Sequence, residues 1–480
     1  MNYRTVFHNL GNILIIESLF LLLPVLVAVL YRETAGFAFA VTAAGTFFTG
    51  MLLTHLNSNP DRLRAREGFV IVGLSWIIMS LTGAVPFLLT GEIPGIADAL
   101  FESVSGFTTT GATVVPDVEK LSRCVLFWRS LMHWIGGMGV LVFMLAILPL
   151  KGGNTVHLLR AESSGPSVSK IMPKVQTSAS ILYLIYIGLT ALEAVLLKLG
   201  GMTLFDSLNY AMSTAATGGF GVYNEGIGVY NSDFINIVVT VFMFLFGLNF
   251  NVYFLLLAGK PKEILKKSEI KVYFLLIFIS ILTIGFFVRE YYDNIKDCVV
   301  NTAFTVGAFM TSTGFALTDF DVWPLYPKVI LTLLMIIGAC AGSTCGSMKI
   351  SRVIILIKAS YANLRRLVSQ RSIKSIKMDG KRIESETIAD VNAFVTIYIL
   401  IMIVSVILVS LDGQSITTTG SAVAATMNNI GIGFQGVGYS GNFSIFSSLS
   451  KLVMCFDMIA GRLEIFPLII LLMPRTWRRH

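Results

Sequence analysis

The sequence predicts an all-α integral membrane protein in which four pseudo-symmetric repeats, each a span, a short pore helix and a second span, surround one central pore. Hydrophobic residues make up 55% of the 480 residues and charged residues only 13%, whereas a soluble domain carries roughly 25% charged residues. Ten apolar runs approach the length of about 20 residues that a helix needs to cross a bilayer. Short polar stretches that end in glycine recur between these runs at intervals of roughly 100 residues, which indicates an internal repeat.

The ten runs divide into one extra pair and four repeats. They lie at residues 12–31, 36–55, 69–89, 125–149, 179–198, 233–257, 272–288, 328–357, 393–412 and 449–473. The first run lacks a small-residue cleavage site, so we interpret it as a retained span rather than a signal peptide. The predicted units are an N-terminal two-helix hairpin at 1–58, then pore repeats at 59–175, 176–265, 266–385 and 386–480.

Basic residues concentrate in alternate loops, including a long hydrophilic stretch from Lys358 to Arg382. By the positive-inside rule this pattern predicts that both termini are cytoplasmic. The polar segments of all four repeats then open from the outer face. The net charge of +8 is spread over short loops, which suits orientation in a lipid bilayer and argues against a nucleic-acid partner.

The four polar segments are predicted to form a cation-selective filter, each after a short half-helix. A permeating cation loses water and needs replacement oxygens, which backbone carbonyls provide. Glycine allows the positive φ that turns a carbonyl towards the axis, and the negative C-terminal ends of the half-helices favour a cation. The predicted filter residues are Thr109, Thr110 and Gly111; Thr217, Gly218 and Gly219; Ser312, Thr313 and Gly314; and Asn429, Ile430 and Gly431.

Two sequence matches are set aside because of their positions. Residues 417–420 repeat the Thr-Thr-Thr-Gly of residues 108–111. However, Gly420 follows its span too soon to leave room for a half-helix, so we expect it to begin that helix and Gly431 to belong to the filter. Residues 431–436 read G-x-G-x-x-G, but they follow no βαβ strand, which argues against dinucleotide binding.

A small, polar break interrupts the long apolar run at 328–357. Such residues have poor helix propensity, so the break predicts an unwound gating segment below the filter, although close packing of small residues between helices is an alternative. Arg462 lies deep in the last span, where a charge faces a cavity or a partner; an ion pair with Glu464 or Asp457 is the structural alternative. The predicted gating residues are Gly338, Gly342, Ser343, Thr344, Gly346, Lys349 and Arg462.

The remaining polar residues give weaker signals. Four carboxylates precede the filters, where they either raise the local cation concentration or cap the half-helices: Asp98, Glu102, Asp206 and Asp297. His133 is interpreted as helix packing, and Glu17 has no partner that the sequence identifies. The five histidines are scattered and the five cysteines lack metal-site spacing, so the chain is not predicted to be an enzyme or to hold a metal other than a transported ion.

Several motifs together resemble the TrkH/KtrB superfamily of potassium transporters. They are residues 107–113, 129–137, 216–220, 341–344, 428–431 and 461–466. The extra N-terminal hairpin makes the chain similar to the TrkH type in particular. One departure is Ile432, which stands where TrkH proteins often carry proline.

The resemblance implies K⁺ uptake across the bacterial plasma membrane through a gated, channel-like pore. It implies the four filter glycines named above, a gating loop around residues 338–349, a cavity arginine at Arg462, a homodimer, and a TrkA-like cytosolic subunit that binds nucleotides. No organic cofactor is expected in this chain. The stretch from Lys358 to Arg382 is the candidate docking surface for that subunit, with binding to anionic lipid headgroups as the alternative. A K⁺/H⁺ or K⁺/Na⁺ symporter, or a less selective cation channel, remains the alternative function.

Overall fold

The computed structural model describes residues 1–55, 65–139, 175–369 and 376–477, and helices dominate these residues. Within these ranges the one sheet is a two-stranded antiparallel hairpin that pairs Lys377–Met378 with Lys381–Arg382. The predicted all-α fold is therefore confirmed. It follows from the sequence because in lipid a helix satisfies its own backbone hydrogen bonds.

The first two helices form a hairpin at the N-terminal end of the described chain. Helix α1 (Tyr3–Tyr31) and helix α2 (Gly36–Thr54) cross closely, since a Cβ placed on Gly11 would lie 2.7 Å from the carbonyl oxygen of Gly50. Small residues of this kind let membrane helices approach each other. Glu17 of α1 accepts hydrogen bonds of 2.7 Å from the Thr82 hydroxyl, which identifies its partner.

Each of the four repeats contains a first span, a buried pore helix and a second span, and the second spans of repeats 2, 3 and 4 are interrupted within the described residues. The first spans are α3 (Ala65–Thr90), α6 (Val175–Leu199), α11 (Ser268–Val288) and α15 (Ser385–Val409). The pore helices are α4 (Ile96–Phe107), α7 (Leu204–Ala215), α12 (Ile295–Met310) and α16 (Ile416–Met427). The second spans are α5 (Arg123–Gly137), α8 (Asp233–Phe246) with α9 (Asn251–Leu257), α13 (Leu325–Ile337) with α14 (Ile350–Val368), and α17 (Ser448–Arg462) with α18 (Phe466–Leu472). Two short helices at Pro261–Ile264 (α10) and Pro474–Trp477 (α19) complete the described set.

The breaks in the second spans differ from the sequence prediction, which placed one only in repeat 3. Among the described residues six helices are long and apolar enough to cross a membrane unbroken, and α8 with α9 adds a seventh that bends by 94°. The predicted span at 449–473 is interrupted at Glu464 and Ile465, which have φ of +53° and +70°. The second half of the predicted span at 125–149 lies outside the described residues.

The breaks in repeats 2 and 4 were not predicted, because the apolar runs that contain them are long enough for an unbroken span. Irregular backbone at membrane depth is tolerated where other protein groups satisfy it. Around Gly247 this is observed, since the N–H of Cys340 donates to the Gly247 carbonyl at 3.2 Å and the N–H of Phe250 donates to the Gly342 carbonyl at 3.0 Å.

Candidate functional site

The four pore helices end in the same backbone conformation. The residue two positions before each predicted filter glycine has positive φ: Thr109 (+56°), Thr217 (+54°), Ser312 (+54°) and Asn429 (+53°). Each glycine also has positive φ: Gly111 (+79°), Gly219 (+85°), Gly314 (+73°) and Gly431 (+76°). Residues other than glycine and asparagine rarely adopt positive φ. Its occurrence at the same position in all four repeats therefore identifies a repeated turn.

One hydrogen bond fixes this conformation in all four repeats. The residue between the two positive-φ positions donates its N–H to a carbonyl near the end of the pore helix, and the four distances are all 2.9 Å. The pairs are Thr110 to Ser105, Gly218 to Ser213, Thr313 to Ala308, and Ile430 to Ala425. The chain therefore leaves each helix by the same sharp turn, which satisfies carbonyls that a helix end would otherwise leave unpaired.

The four glycines form a closed ring. A Cβ placed on Gly111 would lie 1.8 Å from the carbonyl oxygen of Gly218, and one on Gly431 would lie 2.2 Å from that of Thr110. The two other junctions are alike, with 2.1 Å between Gly219 and the oxygen of Thr313 and 1.7 Å between Gly314 and that of Ile430. Each repeat thus packs its backbone against the next in the order 1–2–3–4–1, and glycine is required at every junction.

Side chains brace the ring from behind. The hydroxyls of Thr108 and Thr110 lie 2.8 Å apart, and those of Thr311 and Thr313 lie 2.7 Å apart. All four side chains are fully buried. Gly420, in contrast, lies inside pore helix α16, and a Cβ there would meet no heavy atom within 4 Å. Of the two candidate glycines in repeat 4, Gly431 alone occupies the ring.

A cavity of about 210 Å³ opens on one side of the ring and is lined by all four glycines. The loops around it connect neighbouring repeats. Between repeats 1 and 2, the Asn224 side-chain amide donates to Asp117 at 2.8 Å, and this hydrogen bond lowers the pKa of Asp117. Between repeats 4 and 1, the Phe443 N–H donates to the Thr113 carbonyl at 2.9 Å.

The predicted gating segment is unwound and lies on the opposite side of the ring. Helix α13 ends at Ile337 and α14 begins at Ile350. The N–H of Gly346 donates to the Ser312 hydroxyl at 2.8 Å, and the Ser347 hydroxyl donates to the Asn428 carbonyl at 3.3 Å. The segment therefore contacts the ring-forming turns of repeats 3 and 4 directly.

Arg462 connects this segment to repeat 1. Its guanidinium donates to the carbonyl of Thr344 at 2.6 Å and to those of Gly136 and Gly137 at 2.5 and 2.6 Å. The two carboxylates considered as its partners are engaged elsewhere, since Glu464 forms an ion pair with Arg352 and Asp457 accepts a hydrogen bond of 2.7 Å from Ser405. Lys349, at the end of the segment, is buried and donates to the Cys345 carbonyl.

With this geometry established, comparison with known proteins identifies the family. The model of the TrkH family, described as a cation transport protein, matches residues 35–478. The chain belongs to the TrkH family. Its members are transporters and not enzymes, and the predicted TrkH-type resemblance is confirmed.

Solved and curated relatives agree over the full length. The crystal structure of the potassium transporter TrkH from Vibrio parahaemolyticus has a TM-score of 0.89 and 34% sequence identity and covers all of both chains. The Trk system potassium uptake protein TrkH of Salmonella typhimurium is 34% identical over all of both chains. The Trk system potassium uptake protein TrkG of Escherichia coli is 34% identical over 99% of each.

In this TrkH family member the carboxylates that precede the filters have protein partners. Asp98 pairs with Lys451 at 2.6 Å, Asp206 accepts from Tyr230 at 2.7 Å, and Asp297 accepts from the Asn294 amide at 3.3 Å. Glu102 is fully buried and pairs with Arg129 at 2.8 Å. This last pair was not predicted from the sequence, although an arginine inside an apolar run is itself a signal that a buried partner exists.

His133 packs as predicted, but its packing partner is a filter segment. Its ring stacks on Phe220 with 4.1 Å between centroids, and its Nδ1 lies 3.2 Å from the Ser213 hydroxyl. A Cβ placed on Gly218 would lie 2.2 Å from that Nδ1. The histidine therefore fixes how closely helix α5 approaches the turn of repeat 2.

Proposed function

We propose that this protein is a potassium-uptake pathway of the bacterial plasma membrane, in which K⁺ crosses through a gated, channel-like pore. The observation that carries the proposal is the closed ring of four glycine junctions. The similarity to transporters named for potassium, over the full length of both chains, supports K⁺ as the ion. Both termini are proposed to be cytoplasmic.

The proposed filter consists of the three residues that end at Gly111 and their equivalents in the other repeats. A K⁺ ion that enters from the outer cavity exchanges hydration water for backbone carbonyl oxygens, and several adjacent weak sites let it leave again. The alternation of positive and negative φ in each turn supports this role, because it turns successive peptide planes. The pore-helix C-termini add partial negative charge near the ring.

The proposed gate is the unwound segment from Gly338 to Lys349 together with Arg462. The segment lies against the inner side of the ring, where it contacts Ser312 and Asn428. Because Arg462 donates hydrogen bonds both to this segment and to repeat 1, withdrawal of the segment requires breaking those bonds. Closed and open states then correspond to two backbone arrangements of this one irregular segment.

We further propose that the protein works as a homodimer under the control of a TrkA-like nucleotide-binding subunit. Helix α14 extends from the gating segment to exposed Arg365 and Arg366, and the β-hairpin that follows exposes Lys381 and Arg382. A protein that binds this basic surface is connected to the gate through a single helix. Residues 370–375 of the predicted surface lie outside the described residues.

The decisive experiment is uptake of radioactive rubidium into liposomes that contain the purified protein, with K⁺ or Na⁺ as competitor. We expect K⁺ to compete strongly and Na⁺ weakly, and uptake to proceed without a second coupled ion. Equal competition by both ions would indicate a less selective cation channel. A requirement for a proton or Na⁺ gradient would indicate a symporter and would overturn the passive pathway.

A further inference from the structure

A buried ion pair connects pore helix α4 to the second span of the same repeat. Glu102 is 0% exposed and Arg129 1% exposed. The guanidinium holds one carboxylate oxygen of Glu102 with two nitrogens, since both Nε and Nη2 lie 2.8 Å from Oε1. Two donors fix the orientation of the Arg129 guanidinium relative to the carboxylate as well as the distance between them.

The carboxylate also holds the chain that leaves the first filter turn. The Thr113 hydroxyl donates to Glu102 at 3.0 Å, and the N–H of Val114 donates to Oε2 at 3.0 Å. Arg129 contacts the same Thr113 hydroxyl at 3.2 Å. Thr113 follows Gly111 by two residues, so the pair fixes the position at which the backbone emerges from the ring.

The arginine reaches the second filter turn as well. Its guanidinium lies 4.0 Å from the centroid of Phe220, the residue directly after Gly219. The His133 ring is stacked 4.1 Å from the same centroid, and two groups at this distance fit only on opposite faces of one ring. Phe220 is thereby clamped by two residues of helix α5, which orient it through a cation–π contact and a stacking contact.

The sequence has no carboxylate at the equivalent position of the other three repeats. Nine residues before the filter glycine, where repeat 1 has Glu102, the other repeats have Tyr210, Thr305 and Ala422. Replacing a buried ion pair by well-packed apolar residues is often neutral or favourable for stability. A contribution to folding stability therefore does not explain why the pair is present. Its contacts with two filter turns do, because they hold those turns in fixed positions.

We infer that Glu102 and Arg129 are positioning residues that set the spacing of the first two filter turns and thereby the preference for K⁺ over Na⁺. The inference rests on the proposed function. Removing one partner has two consequences. It releases Thr113 and Val114 or Phe220 from their fixed positions, and with Glu102→Gln it also leaves the positive charge of Arg129 unbalanced beside the cation pathway.

The test measures the ratio of K⁺ to Na⁺ concentrations that half-inhibit rubidium uptake, together with thermal unfolding in detergent. We expect Glu102→Gln and Arg129→Gln to reduce the K⁺ preference by roughly tenfold or more, because small displacements in a preorganised site cost up to about a hundredfold. Arg129→Lys keeps the charge but not the two-donor geometry. Its preference for K⁺ is therefore expected to be reduced as in Arg129→Gln.

Asp98→Asn is the matched control, because it breaks the ion pair with Lys451 at the outer end of the same pore helix. It is expected to leave the K⁺ preference unchanged. If the single variants do not fold, Thr113→Val replaces them: it removes the hydroxyl that contacts both charged groups while leaving both in place, and it is expected to reduce the preference by a smaller factor.

An unchanged preference in folded Glu102→Gln, or in Thr113→Val where the charge variants fail to fold, would overturn the inference. So would an equal reduction in Asp98→Asn. The proposed function fails separately, because its failure appears in the unmodified protein as equal competition by K⁺ and Na⁺. In that case the inferred role of Glu102 and Arg129 in K⁺ preference is overturned together with the proposed function.

Discussion

The side-chain amide of Asn429 donates a hydrogen bond of 2.9 Å to the hydroxyl of Thr110, across 319 residues of sequence. The same amide nitrogen donates to the carbonyl of Met458 at 2.9 Å. Asn429 stands at the first positive-φ position of repeat 4 and Thr110 in the middle of the turn of repeat 1. This contact therefore joins the last repeat to the first and closes the ring with a side chain as well as with backbone.

The first prediction concerns this closure. Asn429→Ala and Thr110→Val each remove one side of the contact, and we expect the two effects on the free energy of unfolding to be non-additive by about 0.5–3 kcal/mol. The physical reason is that each single change already breaks the hydrogen bond between Asn429 and Thr110, so the double variant does not lose that bond a second time. Denaturant unfolding in mixed micelles of the two single variants and the double variant measures this coupling. Strict additivity would show that the contact contributes nothing to ring closure.

The second prediction uses the two Thr-Thr-Thr-Gly segments as a matched pair. In Gly111→Ala the new Cβ would lie 1.8 Å from a backbone oxygen of repeat 2, and the φ of +79° adds about 1–2 kcal/mol of strain. We expect rubidium uptake into liposomes to be abolished. The close contact is with backbone, which cannot rotate away as a side chain could.

Gly420→Ala is the control for that variant. It adds the same methyl group inside helix α16, where no heavy atom lies within 4 Å. Because alanine is a better helix former than glycine, we expect a gain of up to about 1 kcal/mol in stability and unchanged uptake. Loss of uptake in Gly420→Ala with normal uptake in Gly111→Ala would contradict the assignment of the ring.

Much of this fold could be predicted because the bilayer imposes a simple rule on composition. The four repeats, their pore helices and the choice of Gly431 over Gly420 all followed from the position of polar segments relative to apolar runs. The letters of a motif were a poorer guide, since the turn of repeat 4 reads Asn-Ile-Gly and the copy at residues 417–420 forms a helix. The four turns share a backbone conformation, and several residue types can adopt it.

The parts that could not be predicted are contacts between distant segments. Apolar composition did not reveal that the last span breaks at Glu464 and Ile465. The Glu464 carboxylate forms an ion pair with Arg352, which is far away in sequence. The partner of Glu17 was equally hidden, since Thr82 is an unremarkable residue within another helix. Sequence patterns indicate that a buried charge needs a partner, but only the packed structure identifies it.

The third prediction concerns the gating segment. Deleting residues 342–346 removes the N–H of Gly346 and the carbonyl of Thr344, the groups that contact Ser312 and Arg462. We expect rubidium uptake to rise, because the proposed gate is removed from its contacts with the ring, while K⁺ continues to compete better than Na⁺. Deleting residues 377–381 is a control of equal length outside the membrane, and without a regulatory partner it should leave uptake unchanged. Unaltered uptake in a correctly folded 342–346 deletion would show that the segment is not the gate.

The fourth prediction separates two roles of Arg462. Its guanidinium donates to one carbonyl of the proposed gating segment and to two carbonyls of repeat 1, and each hydrogen bond from a charged group contributes about 1.5–3 kcal/mol. Arg462→Gln should therefore favour the open arrangement by roughly tenfold or more and raise rubidium uptake. It also removes a positive charge from the proposed pathway, which acts in the same direction.

Arg462→Lys distinguishes the two contributions, because it keeps the charge but cannot reach Thr344 and the Gly136–Gly137 carbonyls together as a planar guanidinium does. If the hydrogen bonds hold the gate closed, uptake by Arg462→Lys should resemble that by Arg462→Gln. If the charge is the main barrier, uptake by Arg462→Lys should stay near that of the unmodified protein. Equal uptake by all three proteins, with thermal unfolding at lower temperature in the variants, would instead assign Arg462 a purely structural role.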